Sequence, residues 1–354
     1  MTKLLSVATA AIRSDQLSDL QHLRYPRVDY IELRRYLDTE TLDYSSYDKN
    51  GAGKLFRQWE TQLRSDVYLA TLGWWKSQEY STVFTWSERA GIPFSAFHRF
   101  MPVGDRFVTM FQCWSPKQEF VIKNLRLFRE MDAIIVHCLS MQENLIRLGA
   151  PEERVKLIHY SIDQNFFTPQ TDIKQRNVIT SIGEPRSRNY ASLFEAVKGL
   201  PVTLEVAGFG HWYAREKRSP LKAKIPNNVL MLNHLSQLEL RNQYASSQFT
   251  VIPVHDLVYS AGATTSLEAG SMARAVIAFR SKGIVDYIID GETGILVEPG
   301  NIRELRDAIQ YLLANPNEAR RMGENARQRI LDELNLETYV KGIADVLMQN
   351  NCQG

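Results

Sequence analysis

Short runs of β-branched and apolar residues alternate along the chain with longer stretches of helical periodicity. This alternation is typical of parallel sheets covered by helices, because parallel strands need crossover connections. Two series of strands are predicted, one on each side of residues 161–177. The first comprises LLSVATA, VDYIEL, STVFTW, RFVTMF, AIIVHC and VKLIHY, and the second NVITSIG, VTLEVAG, NVLMLNH, FTVIPV, AVIAF and GILVEPG.

The segment between the two series is polar and aperiodic and includes Pro169, so it marks a junction between two α/β domains. The predicted domains are residues 1–168 and 169–335. Residues 336–354 are expected to form a C-terminal helix that packs on either domain, with a return to the first domain as one alternative. A chain of 354 residues is long enough to bury two cores.

The composition narrows the classes of partner. Charged residues make up 23% of the chain and the formal net charge is +2, with no strongly basic half, so nucleic acid is not expected as a partner. Three cysteines lie far apart with no CxxC spacing, which favours a reducing, cytoplasmic setting: Cys113, Cys138 and Cys352.

The first residues, MTKLLSVATAAIRSD, have two interpretations, a secretory signal and a buried first strand. The apolar run is short, so we favour the strand. No window approaches about 18 consecutive apolar residues, so no transmembrane helix is expected.

Residues 116–130, PKQEFVIKNLRLFRE, combine basic and apolar positions. We favour a helix whose apolar side covers the sheet and whose basic side is solvated, with a membrane-facing amphipathic helix as the alternative. The basic residues are Lys117, Lys123, Arg126 and Arg129, and the apolar residues are Phe120, Ile122, Leu125 and Phe128.

Two loops of the second series are candidates for anion binding, because ligands of open parallel sheets bind beyond the carboxyl ends of strands. After NVITSIG, Gly183 ends the strand, and Arg186 and Arg188 follow. A basic pair near an amide-rich helix start suits a phosphate or diphosphate, although two solvated loop charges are an equal alternative. The helix start after FTVIPV has little side chain to block its backbone: Gly262, Ala263, Thr264 and Thr265.

Glu268 stands in the stretch SAGATTSLEAG. Thr265-Ser-Leu-Glu268 matches the capping box, so the local pattern favours a helix cap over a ligand contact. VAGFGHWY carries Gly208 and Gly210, but Tyr213 replaces the third glycine of a dinucleotide fingerprint. The seven histidines show no metal-ligand spacing, so neither a metal site nor a cofactor is predicted.

Residues 132–301 resemble the retaining glycosyltransferases of family 4, which have the GT-B fold of two Rossmann-like domains with parallel sheets facing across a cleft. The resemblance lies in several ordered segments rather than in any single motif. They are AIIVHCLSMQENLIRLGAPEERVKLIHYSIDQNFFTP, SIGEPRSRNYASLFEAV, IPNNVLMLNHLSQLELRNQYASSQFTVIPV and SAGATTSLEAGSMARAVIAFRSKGIVDYIIDGETGILVEPGN.

The resemblance implies roles for individual residues. Glu268 matches the second glutamate of the family's E-x7-E signature, which binds the ribose of a nucleotide sugar, and Arg188 and Arg186 would hold the diphosphate. Ser260 stands where the family has the first glutamate, which contacts the donor sugar, and a hydroxyl lacks that charge and reach. The implied catalytic residues are Ser260, Arg188 and Glu268, and the implied nucleotide-binding residues are Gly183, Arg186, Arg188, Gly262, Ala263, Thr264, Thr265 and Glu268.

Two further departures concern a turn and the first domain. Ala273 replaces a glycine after the signature helix, which would cost about 1 kcal/mol if the residue keeps a left-handed conformation. For the family's donor-contacting histidine, one alignment uses His98 and the other uses the loop with Gln112 and Trp114. We prefer the loop and interpret His98 as a packed or surface residue.

The resemblance implies a metal-independent, retaining glycosyltransferase that moves a sugar from a UDP- or GDP-sugar to a glycan or lipid-linked acceptor. The resemblance suggests front-face attack, since no protein nucleophile is evident. The expected setting is cytoplasmic, with peripheral contact at the inner face of a membrane as an alternative. Two other hypotheses are a non-catalytic sugar-nucleotide-binding or scaffold protein, motivated by Ser260, and a sugar-nucleotide epimerase of similar architecture.

Overall fold

The computed structural model describes residues 3–10, 24–47, 56, 60, 65–102, 104–208 and 224–349, and all structural statements below concern these residues. They form two compact units. Unit 1 comprises the described residues of Met1–Gln21, Val28–His159 and Glu337–Gly354, and unit 2 comprises those of His22–Arg27 and Tyr160–Leu336.

Unit 1 is built on a six-stranded sheet in which each described pairing is parallel. The strands are β1 (Leu4–Val7), β2 (Thr39–Leu42), β3 (Thr82–Thr85), β4 (Arg106–Phe111), β5 (Ala133–Val136) and β6 (Val155–Leu157). The helices are α1 (Asp29–Glu32), α2 (Val67–Lys76), α3 (Glu88–Phe100), α4 (Pro116–Leu125) and α5 (Leu139–Arg147). The sheet order is β2-β1-β3-β4-β5-β6.

Unit 2 has a second six-stranded parallel sheet. The strands are β7 (Val178–Ile182), β8 (Thr203–Ala207), β9 (Val229–Met231), β10 (Thr250–Ile252), β11 (Val276–Phe279) and β12 (Gly294–Val297). The helices are α6 (Tyr190–Val197), α7 (Gln237–Ser246), α8 (Ala263–Ser271), α9 (Ile302–Ala314) and α10 (Pro316–Asp332). The sheet order is β12-β11-β10-β7-β8-β9.

The strand order of unit 2 reverses direction between β7 and β10, which are neighbours through the pair Thr180–Thr250. Crevices at such reversals, beyond the carboxyl ends of the strands, are where open α/β sheets bind ligands. The loops that leave β7 and β10 are the two loops that the sequence nominates for anion binding. The two parallel α/β sheets confirm the predicted fold class, and Leu4–Val7 is a paired strand, as predicted.

One predicted strand is wrong. VDYIEL forms α1 and a following 3₁₀ turn at Leu33–Arg35, and the strand beside β1 is Thr39–Leu42. The Asp29 carboxylate accepts the Tyr30 N–H at 2.8 Å, which supports a turn rather than an extended segment. An edge strand needs only one buried face, so the mostly polar sequence TETL can form one. The same polar sequence gives only a weak strand signal, which is why this strand was not predicted.

The segment 116–130 also departs from the favoured prediction. α4 ends at Leu125, Arg126 adopts a left-handed conformation with φ 51°, and a 3₁₀ turn follows over Leu127–Glu130. Ile122 and Phe128 cover the sheet, as expected. Phe120 and Leu125 do not, because the helix turns them towards solvent.

The C-terminal helix α11 (Leu336–Met348) belongs to unit 1 from Glu337 onwards. The Arg106 guanidinium donates to the Leu347 carbonyl at 3.1 Å, and the Tyr339 hydroxyl lies 3.8 Å from the Met110 sulfur. The helix therefore packs within unit 1. The predicted domain boundaries at residues 168/169 and 335/336 stay predictions.

Candidate functional site

The loop after β7 brings a buried arginine against a glycine. Gly183 has φ 141°, and a Cβ on it would lie 2.5 Å from the Arg188 guanidinium. Real Cβ atoms do not approach other atoms so closely, so only glycine leaves room for this side chain. The Asn189 N–H donates to the Pro253 carbonyl at 2.6 Å, which joins this loop to the loop that leaves β10.

Arg188 is 6% exposed and makes only neutral hydrogen bonds. Its guanidinium donates to the Ile182 carbonyl at 3.2 Å, the Ser187 hydroxyl at 3.1 Å and the Thr265 hydroxyl at 3.3 Å. Among the described residues, no carboxylate forms an ion pair with it. Burial lowers the pKa of the Arg188 guanidinium, because removal from water disfavours its charged form.

The start of α8 points unpaired backbone donors to the same place. Gly262 is the N-cap residue, with φ 91° and no side-chain cap. The Ala263 N–H donates to the Ser260 carbonyl at 3.1 Å, but the N–H groups of Thr264 and Thr265 find no acceptor among the described residues. Free N–H groups at a helix start carry partial positive charge and favour an anion.

Glu268 is not the cap that the local pattern favours. The helix begins at Ala263, so Thr265 and Glu268 both lie inside it. The Glu268 carboxylate instead accepts a hydrogen bond from the Tyr244 hydroxyl at 2.7 Å and is 7% exposed. Burial raises the pKa of Glu268 to about 7, and the Tyr244 hydrogen bond only partly opposes that shift.

The structure therefore brings together Gly183, Arg188 and Thr265, with Gly262 to Glu268 on the adjoining helix start. Arg186 is an exposed residue of the same loop, Thr264 is exposed and Ser260 is half-buried before α8. Gly208 is packed against Gly183, where a Cβ would lie 2.6 Å from the Gly183 nitrogen. Gly210 and Tyr213 lie outside the described residues, as does Cys352.

The candidate residues of unit 1 fall at opposite ends of β4. Gln112 and Trp114 follow its carboxyl end, where the Gln112 N–H donates to the buried Glu88 carboxylate at 3.0 Å. His98 packs against Phe107 near the start of the strand, with ring centroids 6.2 Å apart. Five residues of strand span about 16 Å, so His98 cannot share a site with Gln112 and Trp114.

Sequence reasoning missed three partners of the site. Tyr244 holds Glu268, the Tyr190 hydroxyl donates to the Gly183 carbonyl at 2.7 Å, and Glu88 holds the loop of Gln112. The available signal for Tyr244 was that it is the one aromatic residue of α7. Its contact with Glu268 depends on how α7 and α8 pack, which periodicity does not encode.

Within the described residues, no three His, Cys, Asp or Glu side chains cluster as a metal would require. No helix in the part of the chain that the structure describes has both the length and the apolar character to cross a bilayer.

Residues 163–329 match the family model "Glycosyl transferases group 1". Glycogen synthase of Mycobacterium tuberculosis is 23% identical over 234 residues, which cover 63% of this chain and 55% of that protein. Alpha-maltose-1-phosphate synthase of Mycolicibacterium smegmatis is 24% identical over 228 residues, 57% of this chain and 59% of that protein. The chain thus matches little more than half the length of these relatives.

Among solved structures, Anabaena Alr3699/HepE in complex with UDP-glucose superimposes with a TM-score of 0.72 at 16% identity, covering 98% of this chain and 99% of that one. Sucrose-phosphate synthase from Thermosynechococcus elongatus superimposes with a TM-score of 0.70 at 15% identity, covering 98% of each chain. The fold is therefore that of the GT-B glycosyltransferases, and residues 163–329 match the group 1 glycosyl transferase family.

Proposed function

We propose that the chain is a glycosyltransferase whose unit 2 binds a nucleoside diphosphate sugar. The observation that carries the proposal is the Arg188 guanidinium, which is buried without a described counter-ion beside the free N–H groups that start α8. A buried unpaired charge costs free energy in the empty protein, and a bound diphosphate would remove that cost.

Different residues of unit 2 bind different parts of the nucleotide. Arg188 and the N–H groups of Thr264 and Thr265 bind the diphosphate, and the Glu268 carboxylate accepts hydrogen bonds from the ribose hydroxyls. Arg186 is the second candidate for the diphosphate. The match of the E-x7-E region to the family supports the ribose assignment.

The proposed reaction is metal-independent transfer with retention of configuration. When the bond between the sugar and the diphosphate breaks, negative charge grows on the leaving diphosphate, and Arg188 and the α8 start stabilise it. The incoming acceptor hydroxyl gives its proton to a diphosphate oxygen as it attacks the same face of the sugar. Ser260, next to α8, offers a hydroxyl to the donor sugar.

We propose a UDP-sugar as the donor, because Anabaena Alr3699/HepE was solved with UDP-glucose. A GDP-sugar is the second choice. We assign the acceptor, a glycan or lipid-linked glycan, to unit 1, with Gln112 and Trp114 as its contacts. We place the reaction in the cytoplasm, with peripheral contact at the inner face of a membrane as the alternative.

A thermal-shift panel of UDP-, GDP- and ADP-sugars tests the proposal, because a ligand that binds only the folded state raises Tm. We expect one nucleotide class to raise Tm and slow hydrolysis of its sugar to follow. An absence of any shift would contradict the proposal. Binding without hydrolysis or transfer would instead favour the non-catalytic alternative, which rests on Ser260 in place of a glutamate.

A further inference from the structure

Unit 1 carries a surface, here called the apolar–basic face, at α4 and the C-terminal end of α3. We propose that this face docks on an anionic lipid bilayer. The face belongs to unit 1 alone, so this proposal does not rest on the nucleotide site of unit 2. The face consists of the apolar residues Phe100, Met101, Phe120, Val121 and Leu125 and the basic residues Lys117, Lys123 and Arg126.

The apolar residues of the face are unusually exposed for a helix that covers a sheet. Of the ten described residues of α4, only Ile122 is buried, whereas Phe120 is 69% exposed. At the end of α3, Phe100 is 74% exposed and the following Met101 is 51% exposed. Single exposed apolar residues are ordinary, but a group of them marks a contact with a partner or a membrane.

The exposed residues belong to one edge of unit 1, because hydrogen bonds join the helix ends. The Arg99 guanidinium donates to the Leu125 carbonyl at 2.5 Å, so the end of α3 lies beside the end of α4. The Trp74 indole N–H donates to the Met101 carbonyl at 2.9 Å, which brings the end of α2 to the same edge. The C-terminal ends of α3 and α4, with their exposed apolar residues, therefore lie at the same edge of unit 1.

The basic residues of the face favour an anionic bilayer over a second copy of this chain as the binding partner. Lys117 and Arg126 form no ion pair with any residue that the structure describes, and Lys123 pairs only with Glu119, at 2.9 Å. A second copy of this chain would bring like charges together across a two-fold axis. Anionic headgroups pair with the cations while the apolar side chains enter the headgroup boundary, as in interfacial helices.

Sedimentation with lipid vesicles tests the proposal on the full chain. We expect binding to phosphatidylcholine vesicles that contain roughly a quarter phosphatidylglycerol, and weak binding to pure phosphatidylcholine. Raising the salt from about 50 to about 300 mM should release the protein, because screening weakens the cationic contribution. No binding at low salt, or equal binding to both vesicle types, would overturn the proposal.

Two double variants and two matched controls assign the binding to the face. Lys117→Gln with Arg126→Gln should weaken binding about fivefold per charge, and Phe100→Ser with Phe120→Ser should weaken it at least about tenfold. Arg303→Gln and Leu331→Ser remove an exposed cation and an exposed apolar residue of unit 2 and should change binding less than about twofold.

A third measurement separates the bilayer from other occupants and from misfolding. Each variant should keep the wild-type Tm, since the substituted side chains are exposed. Vesicle binding that persists in both double variants would overturn the proposal. So would a dimer that forms without vesicles and disappears in the Phe100→Ser, Phe120→Ser variant, because a second copy would then cover the face.

Discussion

The Tyr244 hydroxyl donates to the Glu268 carboxylate at 2.7 Å inside unit 2, and no described cation forms an ion pair with that carboxylate. Arg188 is buried near the same helix and contacts Thr265, one turn before Glu268. A guanidinium of the β7 loop and a carboxyl group of α8 are thus both buried beside this helix without forming an ion pair with each other. Each remains available to a ligand, which is the arrangement expected of a binding site rather than of a structural ion pair.

The first prediction concerns folding stability and pH. The folded-state pKa of Glu268, about 7, lies above its ordinary value of 4.5, so the folded protein binds more protons between these values. The Glu268 contribution to the free energy of unfolding should therefore fall as pH rises from about 4.5 to 7, by about 3 kcal/mol in total. Glu268→Gln cannot ionise but still accepts from Tyr244, so it should be more stable than the wild type at pH 8.

Urea unfolding of both proteins at about pH 5 and pH 8 measures this difference. Glu324→Gln, an exposed change on α10, serves as the control and should follow the wild type at both pH values. If Glu268→Gln shows the same loss of stability with pH as the wild type, the assignment of that loss to Glu268 is wrong.

The second prediction concerns nucleotide affinity and pH. Ribose hydroxyls donate to an ionised carboxylate, so binding should favour the charged form of Glu268 and release its proton. With a pKa of about 7 in the empty protein, the affinity for UDP-glucose should rise about tenfold between pH 6 and pH 8. The diphosphate of UDP-glucose does not titrate in this range, so calorimetry reports on the protein. Affinity that is independent of pH in the wild type would contradict the ribose assignment.

The third prediction uses two glycines with positive φ. Gly183→Ala adds a Cβ that would lie 2.5 Å from the Arg188 guanidinium, so the arginine must move. Gly199→Ala also places an alanine at positive φ, here 73°, but its Cβ would meet nothing within 4 Å. Gly199→Ala should lose about 1 kcal/mol of stability from the strained backbone, and Gly183→Ala should lose more because the buried arginine must also shift. Only Gly183→Ala should lose diphosphate affinity, by at least about tenfold. Equal affinities in the two variants would show that Arg188 does not bind the diphosphate.

The fourth prediction concerns the turn after α8. Ala273 has φ 53°, so it keeps the left-handed conformation in which glycine is favoured. Ala273→Gly should raise the free energy of unfolding by about 0.5–1 kcal/mol, after allowance for the flexibility of glycine in the unfolded chain. Gln310→Gly, an exposed change inside α9, should lower it by about 0.5–1 kcal/mol. A loss of stability in both variants would exclude strain at Ala273.

The sequence was sufficient for the two parallel sheets because nearly every strand is a short buried run between helical segments. It failed at VDYIEL, because an edge strand such as Thr39–Leu42 has one exposed face and little apolar signal. It also failed to find the surface of α4. A helix pattern gives the spacing of Phe120 and Leu125, but their direction depends on where Arg126 ends the helix.

The candidate site was predictable in its residue types but not in its geometry. The motif nominated Glu268, while the local capping pattern argued for another role. The contradiction resolves only because Gly262 starts the helix before Thr265, through a left-handed conformation that the sequence does not specify. The burial of Arg188 among neutral hydrogen-bond acceptors likewise depends on tertiary packing.

The most direct test of the nucleotide site compares the affinities for UDP and for uridine by calorimetry. The difference between them is the contribution of the diphosphate to binding. In the wild type UDP should bind much more tightly than uridine. Arg188→Gln should lower the UDP affinity at least about tenfold, because one charge-assisted hydrogen bond to the diphosphate is lost. The uridine affinity should stay unchanged. Arg303→Gln, an exposed cation of unit 2, should bind both ligands like the wild type. A folded Arg188→Gln protein that binds UDP as tightly as the wild type would contradict the account.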